Sequence, residues 1–140
     1  MKILNEEIFK NLEAQARESS RLRSHHLLHR SHSDVVQRLL IGLVKGSYVE
    51  PHYHEKDSQW EMFVVLQGLL LVKVYSGSGS ILDTFEVDAQ NSRPQIVEFG
   101  PREIHSLECL SDFAVLLEVK EGPFDPKYAK AFPKWSIATK

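Results

Sequence analysis

Cys109 is the only cysteine in 140 residues, so no disulfide can close within the chain and a fold stapled by bridges is excluded. A reducing compartment suits such a chain, and the cytoplasm is the expected location. Long apolar runs are missing as well. The longest, around Leu39 to Val44 and Met62 to Leu66, fall far short of the roughly 20 residues that cross a bilayer, and the N-terminus has no apolar signal region. Neither sign of charge is in excess: 17 Lys and Arg against 19 Asp and Glu leave a net charge of −2, which exerts no global pull on nucleic acid or anionic lipid. There is no internal repeat. Ser76-Gly-Ser-Gly-Ser80 is too brief for an interdomain linker, because strand-like sequence resumes at once; it reads as a hairpin tip.

What is present describes one globular domain with a single core, 42% hydrophobic and 26% charged. Leu4, Ile8, Leu12 and Ala16 recur every four residues behind Asn5, a cap residue, and Glu6-Glu7, which suits a short amphipathic helix. Beyond residue 34, strand-like runs at Val35 to Val44, Ser47 to His54, Trp60 to Leu66, Leu69 to Tyr75, Ile81 to Val87, Gln95 to Phe99 and Phe113 to Lys120 alternate with polar or glycine-rich breaks. Short strands with turns between them predict an all-β sandwich or barrel. Gly122-Pro123-Phe-Asp-Pro126 ends the strand pattern, and Phe132, Pro133 and Trp135 form a tail expected to pack back on the barrel. The expected organisation is residues 1–33 as helix and basic, histidine-rich segment, 34–120 as barrel, and 121–140 as tail.

The chemistry gathers at a few residues. His52 and His54 are spaced i, i+2, so on an extended segment both imidazoles leave the same face. Glu61 opens the next strand and shares a face with Phe63 and Val65, which aims its carboxylate into an apolar interior; a hairpin would set it beside the histidines. A buried carboxylate costs several kcal/mol, roughly, unless something positive meets it. His105 follows a Gly100-Pro101 turn, where an antiparallel neighbour would return it to the same spot. Three imidazoles and one carboxylate make a ligand set for one divalent transition metal, Zn, Fe, Mn or Ni, with positions left open for water or substrate. Cys109, at i+4 from His105, reads as packing. Tyr48 and Gln59 flank the ligands and are candidates for orienting a substrate. Arg21, Arg23, Arg30 and Arg38, with His25, His26, His29 and His32, make the first third of the chain cationic; folded over the barrel mouth, Arg21, Arg23, His29 and Arg38 would clamp a carboxylate or phosphate.

The run Gly46, five residues, His52-x-His54, Glu61, six residues, Gly68 resembles the first cupin motif, with six residues between His54 and Glu61 where three or four are usual. Gly100-Pro101-Arg-Glu-Ile-His105 is similar to the second, Pro-x-Gly-x-x-His, with glycine and proline displaced. A resemblance over most of the chain is to the WbuC cupin-fold metalloproteins. It is carried by Arg21-Leu-Arg23-Ser-His25-His-Leu-Leu-His29, Asp34-Val-Val-Gln37-Arg38, Val64-Val-Leu-Gln-Gly68, Glu118-Val-Lys-Glu-Gly-Pro-Phe-Asp-Pro126 and Phe132-Pro-Lys-Trp135. The resemblance implies a single cupin (jelly-roll barrel) and a bacterial setting, since genes of that family often sit among those for surface polysaccharide such as O-antigen. Three classes of function follow: Lewis-acid isomerase, epimerase or lyase chemistry on a sugar-related or acidic metabolite; non-haem Fe(II) dioxygenase; and small-molecule binding or sensing without turnover. The expected partner is a small molecule, with no nucleic acid and no membrane. Cupins commonly pair through edge strands, so a homodimer is among the arrangements open to the chain.

Overall fold

The computed structural model describes residues 1–90 and 93–137. Helix α1 (Glu6–Glu18) is followed by nine strands: β1 (Arg23–Leu27), β2 (Val36–Val44), β3 (Tyr48–His52), β4 (Glu61–Gln67), β5 (Leu69–Tyr75), β6 (Ile81–Asp88), β7 (Ile96–Phe99), β8 (Ile104–Cys109) and β9 (Phe113–Glu121). A 3₁₀ turn (Pro126–Tyr128) and a short α2 (Lys134–Ile137) end the described chain. Two antiparallel sheets form, one of five strands in the order β1-β2-β9-β4-β7 and one of four in the order β3-β8-β5-β6. This is the all-β cupin architecture with an N-terminal helix. Among the described residues no helix is long and apolar enough to cross a membrane.

The main core lies between the sheets, where Leu39, Ile41 and Leu43 of β2, Phe63 and Val65 of β4 and Leu116 of β9 meet Leu70, Val72 and Leu107 from the four-stranded sheet. A second core lies outside the five-stranded sheet. There α1 sets Leu12 and Ala16 on Leu40, Val44, Phe113 and Val115. Being covered on both faces, β2 runs apolar without alternation through residues 39–44. Gly42 lets the helix in, because a Cβ there would stand 2.9 Å from Leu12 Cβ. Asn5 precedes the helix as expected, but its side chain makes no cap hydrogen bond.

Two strands exceed the sequence expectation. β8 carries His105, and β1 pairs with β2 along its whole length, from Arg23 opposite Leu43 to Leu27 opposite Leu39. The barrel thus begins within the basic segment rather than after it. The expected hairpin between the histidine strand and the Glu61 strand is corrected: β3 pairs with β8, while β4 sits between β9 and β7 in the other sheet. Residues 53–60 cross between sheets, so Glu61 meets the histidines across the barrel and not along a ladder.

β3 is an edge strand, and its pairing with β8 shifts register between Val49 and His52. Pro51, with no N–H for a ladder, sits in that irregularity. The tail returns to the same end, where Tyr53 and Ala131 exchange backbone hydrogen bonds of 3.0 and 2.9 Å. Trp135 lies on the β5–β6 hairpin, 5.3 Å from the Tyr75 ring and against Gly79. Phe132 stays 44% exposed instead of packing inward. Residues 138–140 of the expected tail lie outside the described residues.

Candidate metal centre

His52, Glu61 and His105 each point one ligand atom to a common place, with the three atoms within 4.8 Å of one another, and all three side chains are buried. Strand pairing explains the meeting, because His52 on β3 stands directly opposite His105 on β8. The bulge at Pro51 supplies the parity: Val49 and His52 both line the cavity although they are an odd number of residues apart. Glu61 arrives from the opposite sheet. Its Oε2 lies 3.2 Å from His105 Nε2 and 3.2 Å from His54 Nε2.

The ring nitrogens on the far side decide the tautomers. His52 Nδ1 lies 2.8 Å from Glu50 O, and His105 Nδ1 lies 3.0 Å from Glu103 O. A carbonyl only accepts, so each Nδ1 carries the hydrogen and each Nε2 of a neutral ring presents a lone pair to the centre. His52 Nε2 is buried without a hydrogen-bond partner. At His105 the lone pair would face a carboxylate oxygen, a repulsion that a cation between them turns into two bonds. Nδ1–H held by a backbone carbonyl with Nε2 free is the usual arrangement around a metal-bound histidine. Ligands about 2.1 Å from an ion stand about 3–4 Å from each other, so a small closing movement would bring the three atoms to bonding distance. The residues therefore fit a divalent transition ion. His105 is further held by Phe99, whose ring stacks on it at 3.8 Å and 6°.

His54 stands one step out, touching Glu61 Oε2, with its Nδ1 buried and unpartnered. Burial would raise the Glu61 carboxyl, but without an ion hydrogen bonds from a proton shared at His105 Nε2 and from His54 Nε2 replace that repulsion and, with Lys120, hold the carboxyl well below the usual range. Burial, helped by Lys130 and His105, pushes His52 down to about 2, so its ring is neutral and available as a ligand.

The cluster lies in a cavity of about 370 Å³. Period-two placement on β1 and its approach puts Arg21, Arg23, His25, Leu27 and His29 on the cavity wall, with Ser24 turned away to hydrogen-bond Leu12 O. His29 is buried beneath the mouth, and its Nδ1 lies within hydrogen-bond distance of the Arg38 backbone. Three of the residues chosen from sequence lie outside the cavity. Arg38 alternates with the inward Gln37 and Leu39 and faces solvent. Tyr48, at the outer end of β3, is 46% exposed. Gln59 turns to Tyr128 O at 3.4 Å. Cys109 is buried in the main core, apart from the cluster.

Sequence reading missed Glu118 and Lys120. On β9 they follow Leu116 at alternate positions on the inward face, with Lys120 paired opposite Glu61 and Glu118 opposite Phe63. Lys120 Nζ lies 2.6 Å from Glu118 Oε1 and 3.9 Å from Glu61 Oε1. Burial and the Glu61 charge push Glu118 up to about 7 against the pull of Lys120. Burial alone would lower Lys120, yet the two carboxylates hold its ammonium above the usual range. Lys130, brought by the Tyr53–Ala131 bridge, is lowered by burial, and His25 is lowered to about 4 by burial and the surrounding cations. An alternating motif Leu116-x-Glu118-x-Lys120 was the available signal; nothing in the sequence pointed to Lys130.

The fold is that of the cupins, and two histidines and one carboxylate lie close enough together in it to hold a metal ion. A family model described as a domain of unknown function, DUF6016, matches residues 4–87, and the chain belongs to that family. No curated protein matches the chain. Among solved structures it is similar to KdgF from Halomonas sp., at 11% identity and TM-score 0.58 over 75% of this chain and 82% of that one. It is also similar to a cupin superfamily protein from Desulfitobacterium hafniense, at 14% identity and TM-score 0.54 over 71% and 76%. The capsular polysaccharide assembling protein CapF from Staphylococcus aureus aligns at 19% identity and TM-score 0.64 over 81% of this chain, which spans 32% of CapF. These likenesses concern the fold.

Proposed function

We infer that this chain is a metal-dependent cupin of the WbuC type, working in the cytoplasm on a small acidic, sugar-related metabolite of bacterial surface polysaccharide such as O-antigen. His52, Glu61 and His105 would hold the ion, with His54 closing as a fourth ligand. When bound, such an ion polarises a carbonyl or carboxylate oxygen and acidifies the adjacent carbon. The observation that carries the reading is the Glu118–Lys120 pair, an acid and a base in the same cavity as the cluster. A carbon acid needs a group that takes and returns its proton within the cavity. Glu118 is placed to do so, with Lys120 holding its charge, while Arg21 and Arg23 on the cavity wall meet an anionic group of the substrate away from the ion. The reference to polysaccharide in the CapF name agrees with the setting.

The test is hydrogen exchange. Zinc- or manganese-loaded protein incubated with hexuronic acids in D2O should exchange the proton next to the carboxylate, as followed by proton NMR, and Glu118→Gln should slow that exchange by about 100-fold, the usual worth of a positioned acid or base. Exchange that is equally fast in the variant contradicts the assignment. A second reading rests on the ligand composition, since two histidines and one carboxylate also serve non-haem Fe(II) oxygenases. Substrate-dependent oxygen uptake by iron-loaded protein, with no proton exchange, would move the function to that class.

A further inference from the structure

Outside the mouth of the metal cavity lies a second, more open depression of about 540 Å³, with Tyr48 and Phe132 in its wall. Arg21, Arg23, Val49 and Lys130 belong to the walls of both spaces. The charged residues of that shared throat are all cations. Their placement follows from the chain: Arg21 and Arg23 sit two apart, leading into β1, and Arg23 Nη1 reaches from the edge of one sheet to Tyr48 O on the edge of the other, at 2.9 Å. Lys130 is fixed beside them by the Tyr53–Ala131 bridge. Burial and Arg21 lower the Arg23 guanidinium while Glu50, in the outer wall, raises it, and burial lowers Lys130 against the pull of Glu61 and Glu118, with Lys120 and Arg23 adding to the lowering, so three cations are gathered in a partly dry place. An anion with several oxygens seated among them would turn repulsion into charge-assisted hydrogen bonds. Past the throat, Phe132 is 44% exposed and Tyr48, its hydroxyl turned to Tyr75 and Ser106, is 46% exposed, leaving ring surface that a flat ring would cover.

We propose that the ligand has two parts joined at this throat: a polar head in the metal cavity and a diphosphate held by Arg21, Arg23 and Lys130, with a planar base against Tyr48 and Phe132. The substrate class is thereby a nucleoside diphosphate ester of a sugar, of which a free hexuronic acid represents the head alone. The nature of the head rests on the reading given under Proposed function, while the throat and outer wall stand on their own residues.

Isothermal titration of the full chain with UDP, ADP, inorganic diphosphate and uridine tests it, using wild type and the His52→Ala/His105→Ala variant, in which binding through a metal is removed. UDP and ADP should bind at least tenfold more tightly than uridine, and the His52→Ala/His105→Ala variant should keep that affinity within threefold. Arg23→Gln/Lys130→Gln should lose tenfold or more for both UDP and diphosphate. Phe132→Ala, at an exposed side chain, should weaken UDP at least fivefold and leave diphosphate within twofold. UDP binding no tighter than uridine, unchanged binding in Arg23→Gln/Lys130→Gln, or collapse of UDP binding in His52→Ala/His105→Ala overturns the proposal. Equal effects of Phe132→Ala on UDP and diphosphate overturn the outer site. Failure of wild type to take up metal would instead sink the metal-centre reading and leave the throat standing.

Discussion

The histidines of the centre differ in whether the far ring nitrogen is held, and that difference ranks them. His52 and His105 present Nε2 because a backbone carbonyl claims Nδ1, whereas His54 touches the cluster only through Glu61 Oε2 and its Nδ1 has no partner. Removing His52 or His105 takes away an oriented donor, and removing His54 takes away one that must still close. We therefore expect His52→Ala and His105→Ala to reduce zinc affinity beyond the roughly 10–100-fold of an outer-shell loss, with His54→Ala inside that range, as measured by competition with a chromophoric chelator. Equal losses at all three would place His54 on the same footing as the others. At this scale the sequence was readable where parity holds. Glu61, Phe63 and Val65 share the buried face that their spacing foretold. The same rule, applied to β2, separates the outward Arg38 from the inward Gln37 and Leu39, and β9 carries an acid and a base on the inward face of a run read only as a strand.

Strands betray themselves when one face is apolar, and this explains which were legible. β5 runs from Leu69 to Tyr75 as expected because its inner residues Leu70 and Val72 are core. β1 was not foreseen because its inward residues Arg23 and His25 are polar where they line the cavity and its outward Ser24 serves the helix. The hairpin expectation failed for a related reason: nearness of Glu61 to the histidines along the chain does not distinguish pairing within a sheet from crossing between sheets. Gly68, the glycine of the first motif, joins β4 to β5 at φ +82°, and a Cβ there would press on Phe113 O and stand 2.8 Å from Ala114 Cα. Gly68→Ala should cost about 2–4 kcal/mol from left-handed strain and the clash with backbone. Urea unfolding of the metal-free protein measures it; a loss under about 0.5 kcal/mol, the range of an ordinary surface change, would mean the turn relaxes freely.

Over the whole molecule, the buried groups set opposing responses to acid. His52 titrates near 6.5 when unfolded and near 2 when folded, so below pH 6.5 the unfolded chain binds a proton that the folded one refuses, and stability falls as pH falls. Glu61 adds to this only below about 4.5, as acid reaches its depressed folded value. Glu118 works the other way. Raised to about 7 from 4.5, it keeps a proton in the folded chain that the unfolded chain releases, so the fold gains as pH falls from 7 to 4.5. His52 and Glu118 nearly offset each other in this window, and His25, lowered to about 4 by burial and the surrounding cations, tips the balance: the metal-free protein should lose stability between pH 6.5 and 4.5, and Glu118→Gln, which deletes the compensating group, should lose it more steeply. Urea midpoints at pH 7.5 and 5 compare the slopes; parallel lines would contradict the opposition of the two groups.

Metal content measures the central claim most directly. Wild type and the His52→Ala/His105→Ala variant, each saturated with zinc, passed over chelating resin and analysed for metal by mass spectrometry, should retain about one ion per chain and less than about a tenth of one, respectively. Wild type that emerges folded and metal-free, or a variant that keeps as much metal as wild type, would contradict the account.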